Sequence, residues 1–248
     1  MTRAARLVMF AVAGGAVATL MVLAIVDLPA FGGSHHPYRD AAVKAGVAHN
    51  APNIISSVNF DQRGLDTLGE ESIFLAGVIG VSLLLRPAED EERSEGLVPG
   101  RILDSTRLGG YVFLPITTVI GLDIVAHGHL TPGGGFQGGV VLGTGLHLLY
   151  VSGRDRTLDR LRPLTLFEWT EALGAAAFAC LGIAGVLVAG AFLANVIPTG
   201  TFGDLISGGT VPLLNGAVGV EVASGVMVLL AKFLEQAILV RRHHAEPE

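Results

Sequence analysis

The stretch Gly128-His129-Leu130-Thr131-Pro132-Gly133-Gly134-Gly135-Phe136-Gln137-Gly138-Gly139 breaks two long apolar runs, and its reading decides the fold. The run before it carries Asp123 and His127, and the run after it carries His147. A break rich in Gly and Pro leaves backbone N–H and C=O groups outside the helical hydrogen-bond ladder. Hydrocarbon cannot satisfy those groups, so such backbone must be packed in protein or face a water-filled cavity. The expectation is an all-α, polytopic membrane protein in which the break is a hinge, a close-packed corner, or backbone lining an ion path.

Composition agrees. The chain has 248 residues, 50% hydrophobic and 15% charged, where a soluble domain carries about 25% charge. The charges cluster between the apolar runs. The net charge of -6 says little about partners, because the placement of basic residues matters more than their sum. No basic patch with interleaved aromatics exists, which argues against nucleic acid. The single cysteine, Cys180, lies among Ala, Phe and Leu and reads as a buried, inert thiol. No Cys/His metal spacing occurs, and neither metal nor cofactor is expected.

Outward from the break, the apolar runs resolve into six predicted transmembrane helices. The first, Leu7–Val26, is uncharged and about 20 residues long, enough to span a bilayer and longer than the ~7–15 residues of a signal-peptide core. A polar stretch, Phe31 to Asp66, follows with His35, His36 and His49, which read as solvated positions more readily than as metal ligands. Within it Ile54, Ile55 and Val58 share a helical face, suggesting a short helix at the membrane surface. The second span starts near Thr67, where Thr67-Leu68-Gly69-Glu70 fits a capping box, and ends at Arg86-Pro87. An acidic cytoplasmic linker, residues 89–107, separates it from the third span, Leu108 to Ala126, with Pro115 as a kink. The fourth runs from Phe136 to Ser152, and its Gly139 and Gly143 let a neighbouring helix approach closely. The fifth runs from Glu168 to Ala194, anchored by Trp169, and the sixth from Val211 to Val240.

Charge placement orients the helices. Six spans with a cytoplasmic N-terminus put twelve arginines on the inner side, against Arg39, Lys44 and Arg63 outside. The positive-inside rule thus predicts both termini in the cytoplasm.

Five ionisable side chains are candidates for an ion pathway. Asp123 and His127 are four apart and share a helical face, so they can exchange a proton or hold one cation. His147 lies well inside the fourth span; a neutral core histidine bonded to a carbonyl is the competing reading. Glu221 sits near the middle of the sixth, where a carboxylate costs on the order of 3 kcal/mol and requires a partner or a water path. Glu70, near the outer end of the second, is either a helix cap or part of the route.

The stretch from Gly128 to Gly139, including His129, Pro132, Gly133, Gly134, Gly135, Phe136, Gln137 and Gly138, closely resembles the MnhB/MrpB subunit of the multisubunit Na+/H+ antiporters (Mrp complexes). Related modules occur in membrane-bound hydrogenases. Earlier in the chain, Asn53-Ile54-Ile55 and Asn59-Phe60-Asp61-Gln62-Arg63-Gly64-Leu65-Asp66-Thr67-Leu68-Gly69-Glu70 resembles the C-terminal end of the large MrpA subunit, equivalent to the MbhE module. The resemblance implies a two-helix module over 1–88, the linker, and a four-helix MnhB/MrpB-like domain over 108–248.

It further implies a multi-pass subunit in the cell membrane, within a complex that exports Na+ against H+, with large antiporter-like and small membrane subunits as partners. Glu70 falls on the carboxylate of the family motif. The leading expectation is a contribution to the cation/proton route and to subunit contacts; the alternative is a purely structural assembly subunit. An intramembrane serine enzyme is disfavoured, because Ser224-Gly225 is preceded at position 222 by Val where the GxSG pattern needs Gly.

Overall fold

The computed structural model describes residues 3–28, 32–86, 103–152 and 164–243, all of it helix, turn or loop. The chain divides into two units, Met1–Asp40 and Ala41–Glu248. The first holds α1, Arg3–Val26, whose apolar window is not buried at all within the protein.

In the second unit the polar stretch is more ordered than its composition suggests. It contains most of α2, Pro37–Ala48, which places proline at the first helical position. The short helix α3, Ile54–Ser57, is capped by the Asn53 side chain and continues into a π-helical turn, Val58–Gln62.

Helix α4 is Gly64–Leu84. It begins three residues before Thr67, so the expected capping box does not form: the Thr67 hydroxyl donates instead to the Asn59 carbonyl at 2.8 Å. Helix α5, Asp104–Ala126, runs through Pro115, and α6 is Gly135–Ser152. Helix α7, Leu164–Ala189, stops five residues earlier than expected. Gly190 takes φ +75°, a left-handed C-terminal position that favours glycine, and the chain folds back so that Leu193 N–H donates to Gly182 O at 3.2 Å. Helix α8, Val211–His243, is the longest.

Among the described residues, five helices are long and apolar enough to cross a membrane: Leu7–Val26, Gly64–Leu84, Asp104–Ala126, Leu164–Ala189 and Val211–Phe233. The remaining expected span, α6, has 18 residues, about 27 Å at 1.5 Å per residue. Most of the acidic linker and the whole basic loop after Ser152 lie outside the described residues, as does any account of the Arg241 and Arg242 side chains.

Helix α8 is the centre of the second unit and packs against α4, α5, α6 and α7. Its Val211, Leu214, Val218 and Val222 recur at helical spacing and form the core with Phe60 and Phe178, whose rings lie 6.3 Å apart.

Candidate functional site

The glycine-rich break is a close-packed corner. Gly133 and Gly134 hold φ of +140° and +142°, which side-chain-bearing residues rarely adopt. At the end of the corner, the Gly135 N–H donates to Asn215 Oδ1 on α8 at 2.9 Å. The Asn215 amide in turn donates to Ser56 Oγ at 3.0 Å and to Val211 O at 3.1 Å. Asn53 closes the other side, its amide donating to Gly128 O at 2.7 Å and Thr131 O at 2.8 Å. Its backbone N–H donates to His129 O at 2.9 Å. The polar backbone exposed by the break is thus largely satisfied by two asparagines from distant parts of the chain.

His129 is fully buried inside this corner, and neither of its ring nitrogens has a hydrogen-bond partner among the described residues. Burial, helped by the nearby His127, holds its imidazole below the ordinary histidine range. Past the corner, glycines set the helix spacing. A Cβ at Gly139 would lie 2.8 Å from Val222 Cβ, and one at Gly143 would lie 3.2 Å from Val226 Cγ1. The expected close approach of a helix to Gly139 and Gly143 is made by α8.

The candidate pathway residues fall in different places. Asp123 and His127 form an ion pair at 2.9 Å with both side chains more than a third exposed. Among the described residues His147 pairs with no carboxylate; its Nε2 lies 3.2 Å from Val226 O, the geometry of a core histidine bonded to a carbonyl. Glu70 is exposed on α4. Glu221 is fully buried on α8, and neither of its carboxylate oxygens has a hydrogen-bond partner among the described residues.

Two further carboxyl groups join it. Glu71 on α4 and Glu171 on α7 are 2% and 3% exposed, again with unpartnered carboxylate oxygen among the described residues. Both lie within electrostatic range of Glu221. The α7–α8 contact that brings them together depends on small residues. A Cβ at Gly174 would sit 2.8 Å from the Glu221 backbone N, and one at Gly225 would sit 2.8 Å from Glu171 Oε1. A hydroxyl pair, Thr170 and Ser224 at 2.8 Å, bridges the same seam.

Glu171 also lines a cleft of about 410 Å3 between α4, α7 and α8, together with Arg86, Glu168, Lys232 and Ser82. No group of three His, Cys, Asp or Glu side chains among the described residues converges to hold a metal ion. His49 pairs with the Asp61 carboxylate. Cys180, expected to be buried, is exposed on an apolar groove with Leu173, Ala177 and Leu213.

Glu71 and Glu171 escaped the sequence reading for identifiable reasons. Adjacent residues on a helix point about 100° apart, so Glu70 and Glu71 cannot both face the core. The deciding signal is that Thr67, Glu71 and Val78 recur at helical spacing and are buried together. Glu171 is three residues from Gly174, a glycine that marks the contact face.

Residues 106–228 match the family model described as a domain related to the MnhB subunit of Na+/H+ antiporter. An uncharacterized protein of Methanocaldococcus jannaschii, MJ1307, is 29% identical over 198 residues, covering 70% of this chain and 74% of that protein. A probable K(+)/H(+) antiporter A/B subunit of Rhizobium meliloti is 30% identical over 136 residues, covering 45% of this chain but 14% of that protein. In solved structures, a chain of an archaeal respiratory complex, the membrane-bound sulfane sulfur reductase, superposes with TM-score 0.67 at 26% identity, covering 92% of this chain and 98% of its own. A chain of the Mrp complex from Dietzia sp. DQ12-45-1b shares the fold with TM-score 0.66 at 22% identity, covering 94% of this chain and 26% of its own. With its MnhB-related domain and its long apolar helices, this chain is an MnhB-like, multi-pass membrane subunit of an antiporter-type complex.

Proposed function

We propose that this subunit contributes to the cation/proton route of a Na+/H+ antiporter-type complex and to the contacts between its subunits, and that it is a secondary-transporter subunit rather than an enzyme. The single observation that carries the route is Glu221, fully buried in the helix that packs against most others, with both oxygens unpartnered among the described residues. A carboxyl group in such a position is costly and marks a pathway or a partner. A wholly structural role would be better served by an apolar side chain of similar volume. Ser224, the serine of the disfavoured enzyme reading, is engaged with Thr170.

Within this reading, residues 1–88 are the module resembling the end of the MrpA subunit, and 108–248 the MnhB-like domain. The A/B designation of the Rhizobium relative is in keeping with such a joined arrangement. Asp123 and Glu70, exposed in the isolated chain, and the half-exposed His127 are suited to face partner subunits.

The test is to solubilise native membranes gently, isolate the chain by a tag at Glu248, and identify what accompanies it. Co-purifying antiporter-like subunits, with cation-driven proton movement in vesicles that falls in Glu221→Gln, are the expected result. A lone homo-oligomer, or a complex without cation-driven proton movement, overturns the reading.

A further inference from the structure

We infer that Glu171, Glu221 and Glu71 form a proton relay through the seam of α7, α8 and α4, entered from the cleft beside Arg86, Glu168 and Lys232; this rests on the reading that the chain contributes to the ion route. Three carboxyl groups on three different helices meet in a seam where no cationic side chain among the described residues pairs with them. Each is at most 3% exposed, and five of their six oxygens are buried without a hydrogen-bond partner among the described residues. Packing alone does not account for them, since well-packed apolar residues serve a buried seam at least as well.

Their depths place them in series. Glu171 lies seven residues into α7, about 10 Å from its start at 1.5 Å per residue. Glu71 lies seven residues into α4, again about 10 Å from its start. The cleft joins the end of α4, at Leu85 and Arg86, to the first turns of α7, at Glu168 and Glu171. The two helices therefore run in opposite directions, and Glu171 and Glu71 sit toward opposite ends of the bundle. Glu221, ten residues into α8, lies between them and within electrostatic range of both.

The electrostatic neighbours extend this order outward. Glu168, exposed, is the next neighbour of Glu171, and Glu70, exposed, is the next neighbour of Glu71. Five carboxyl groups thus run from one exposed end, through three buried positions, to another exposed end. The Thr170–Ser224 hydroxyl pair lies in the same seam, beside Glu171 and one turn from Glu221.

Protons are the cargo this arrangement suits. The three carboxylates do not converge as a chelating group, whereas proton hopping needs only successive sites. A proton from cleft water adds to the Glu171 carboxylate. It passes to Glu221, leaving Glu171 ionised, then to Glu71, and leaves toward Glu70. Each transfer makes one acid and restores one carboxylate, so a single positive charge moves across the seam. Gly225 leaves the space that Glu171 occupies against α8, which makes it a positioning residue for the relay.

The experiment uses the intact complex in vesicles, with a Na+ or K+ gradient imposed and proton uptake followed by a pH-sensitive dye. Glu171→Gln, Glu71→Gln and Glu221→Gln are each expected to slow proton uptake about a hundredfold while subunit composition is unchanged. Glu171→Asp is expected to recover much of it, and Glu168→Gln to cost far less. Wild-type proton uptake in assembled Glu171→Gln and Glu71→Gln complexes overturns the relay and leaves the transporter reading intact. If those variants fail to assemble, the wild-type complex is treated with a hydrophobic carbodiimide and its peptides are mapped by mass spectrometry. Modification of Glu171, Glu221 or Glu71 in proportion to lost uptake supports the relay; modification without loss, or loss without modification at any of the three, overturns it. Absence of cation-driven uptake in the untreated wild type overturns the transporter reading itself.

Discussion

Asn215 and Gly135 are eighty residues apart, yet the Asn215 Oδ1 accepts the Gly135 N–H at 2.9 Å in a buried hydrogen bond. This one contact ties the start of α6 to the first turns of α8. Asn215→Leu should leave the Gly135 N–H unpaired and lower the stability of the assembled complex by about 1–3 kcal/mol. Asn215→Asp, which keeps the acceptor but loses the donors to Ser56 and Val211, should fall in between. Thermal unfolding of the purified complex reads the difference, and equal midpoints for all three proteins would discard the assignment.

Position 134 of the corner has no room for a side chain. At Gly134 an added Cβ would meet Asn215 Oδ1 at 2.7 Å in a backbone with φ +142°, so Gly134→Ala combines strain with a clash. The strain alone costs on the order of 1–3 kcal/mol. Gly77→Ala on α4 is the contrast, since nothing lies within 4 Å of its added Cβ, and helix propensity favours alanine there by about 1 kcal/mol. Expression level and thermal midpoint should fall for the first variant and hold or rise for the second. The reverse order would contradict the corner.

Protonation of His129 should weaken the corner. Its pKa is lowered by burial, so the folded state favours the neutral ring while the unfolded chain takes up a proton near pH 6.5. Stability is therefore fully present above about pH 6.5 and is lost as pH falls from there toward the lower folded-state pKa. The midpoint of the wild-type complex should drop between pH 7 and pH 5, and His129→Gln should flatten that part of the profile. A profile unchanged by the substitution would show that another group is responsible.

Asp123 and His127 form a largely exposed pair at 2.9 Å, and exposed pairs contribute at most about 1 kcal/mol. Asp123→Asn should accordingly leave the complex assembled and nearly as stable. Reduced antiport in vesicles is expected from it under the proposed function. If both assembly and antiport stay at wild-type levels, Asp123 has no part in the route.

Much of this arrangement was legible before any coordinates. The glycine-rich stretch announced a packed interruption between helices, because its composition offers neither a helix nor a lipid-compatible surface. Glu221 was recognisable because a lone carboxylate in a long apolar run has few uses. What sequence could not give was rotation about the helix axis. Glu70 and Glu71 are neighbours in the chain, and α4 carries apolar residues on more than one face, so periodicity did not say which carboxylate turns inward. Nor could it reveal Asn53 and Asn215 as clasps of the corner, since each is paired with backbone at least 75 residues away. The end of α7 extends too far in the sequence reading because Gly190 follows an unbroken apolar run, Leu181 to Ala189, that continues the helical pattern.

Asn215 and Glu221 lie on one rigid helix, six residues apart, about 9 Å along its axis. Because Asn215 fills the space that side chains at Gly128 and Gly134 would need, the residue at 215 and the glycines of the corner cannot vary independently. Among homologues, replacement of Asn215 should appear together with altered residues at 128, 134 or 135. Lineages that rewrite this lock should also shift where the buried carboxylate sits on the helix that carries 221. Such covariation would leave an evolutionary record of how the corner indexes the seam, readable from sequences alone.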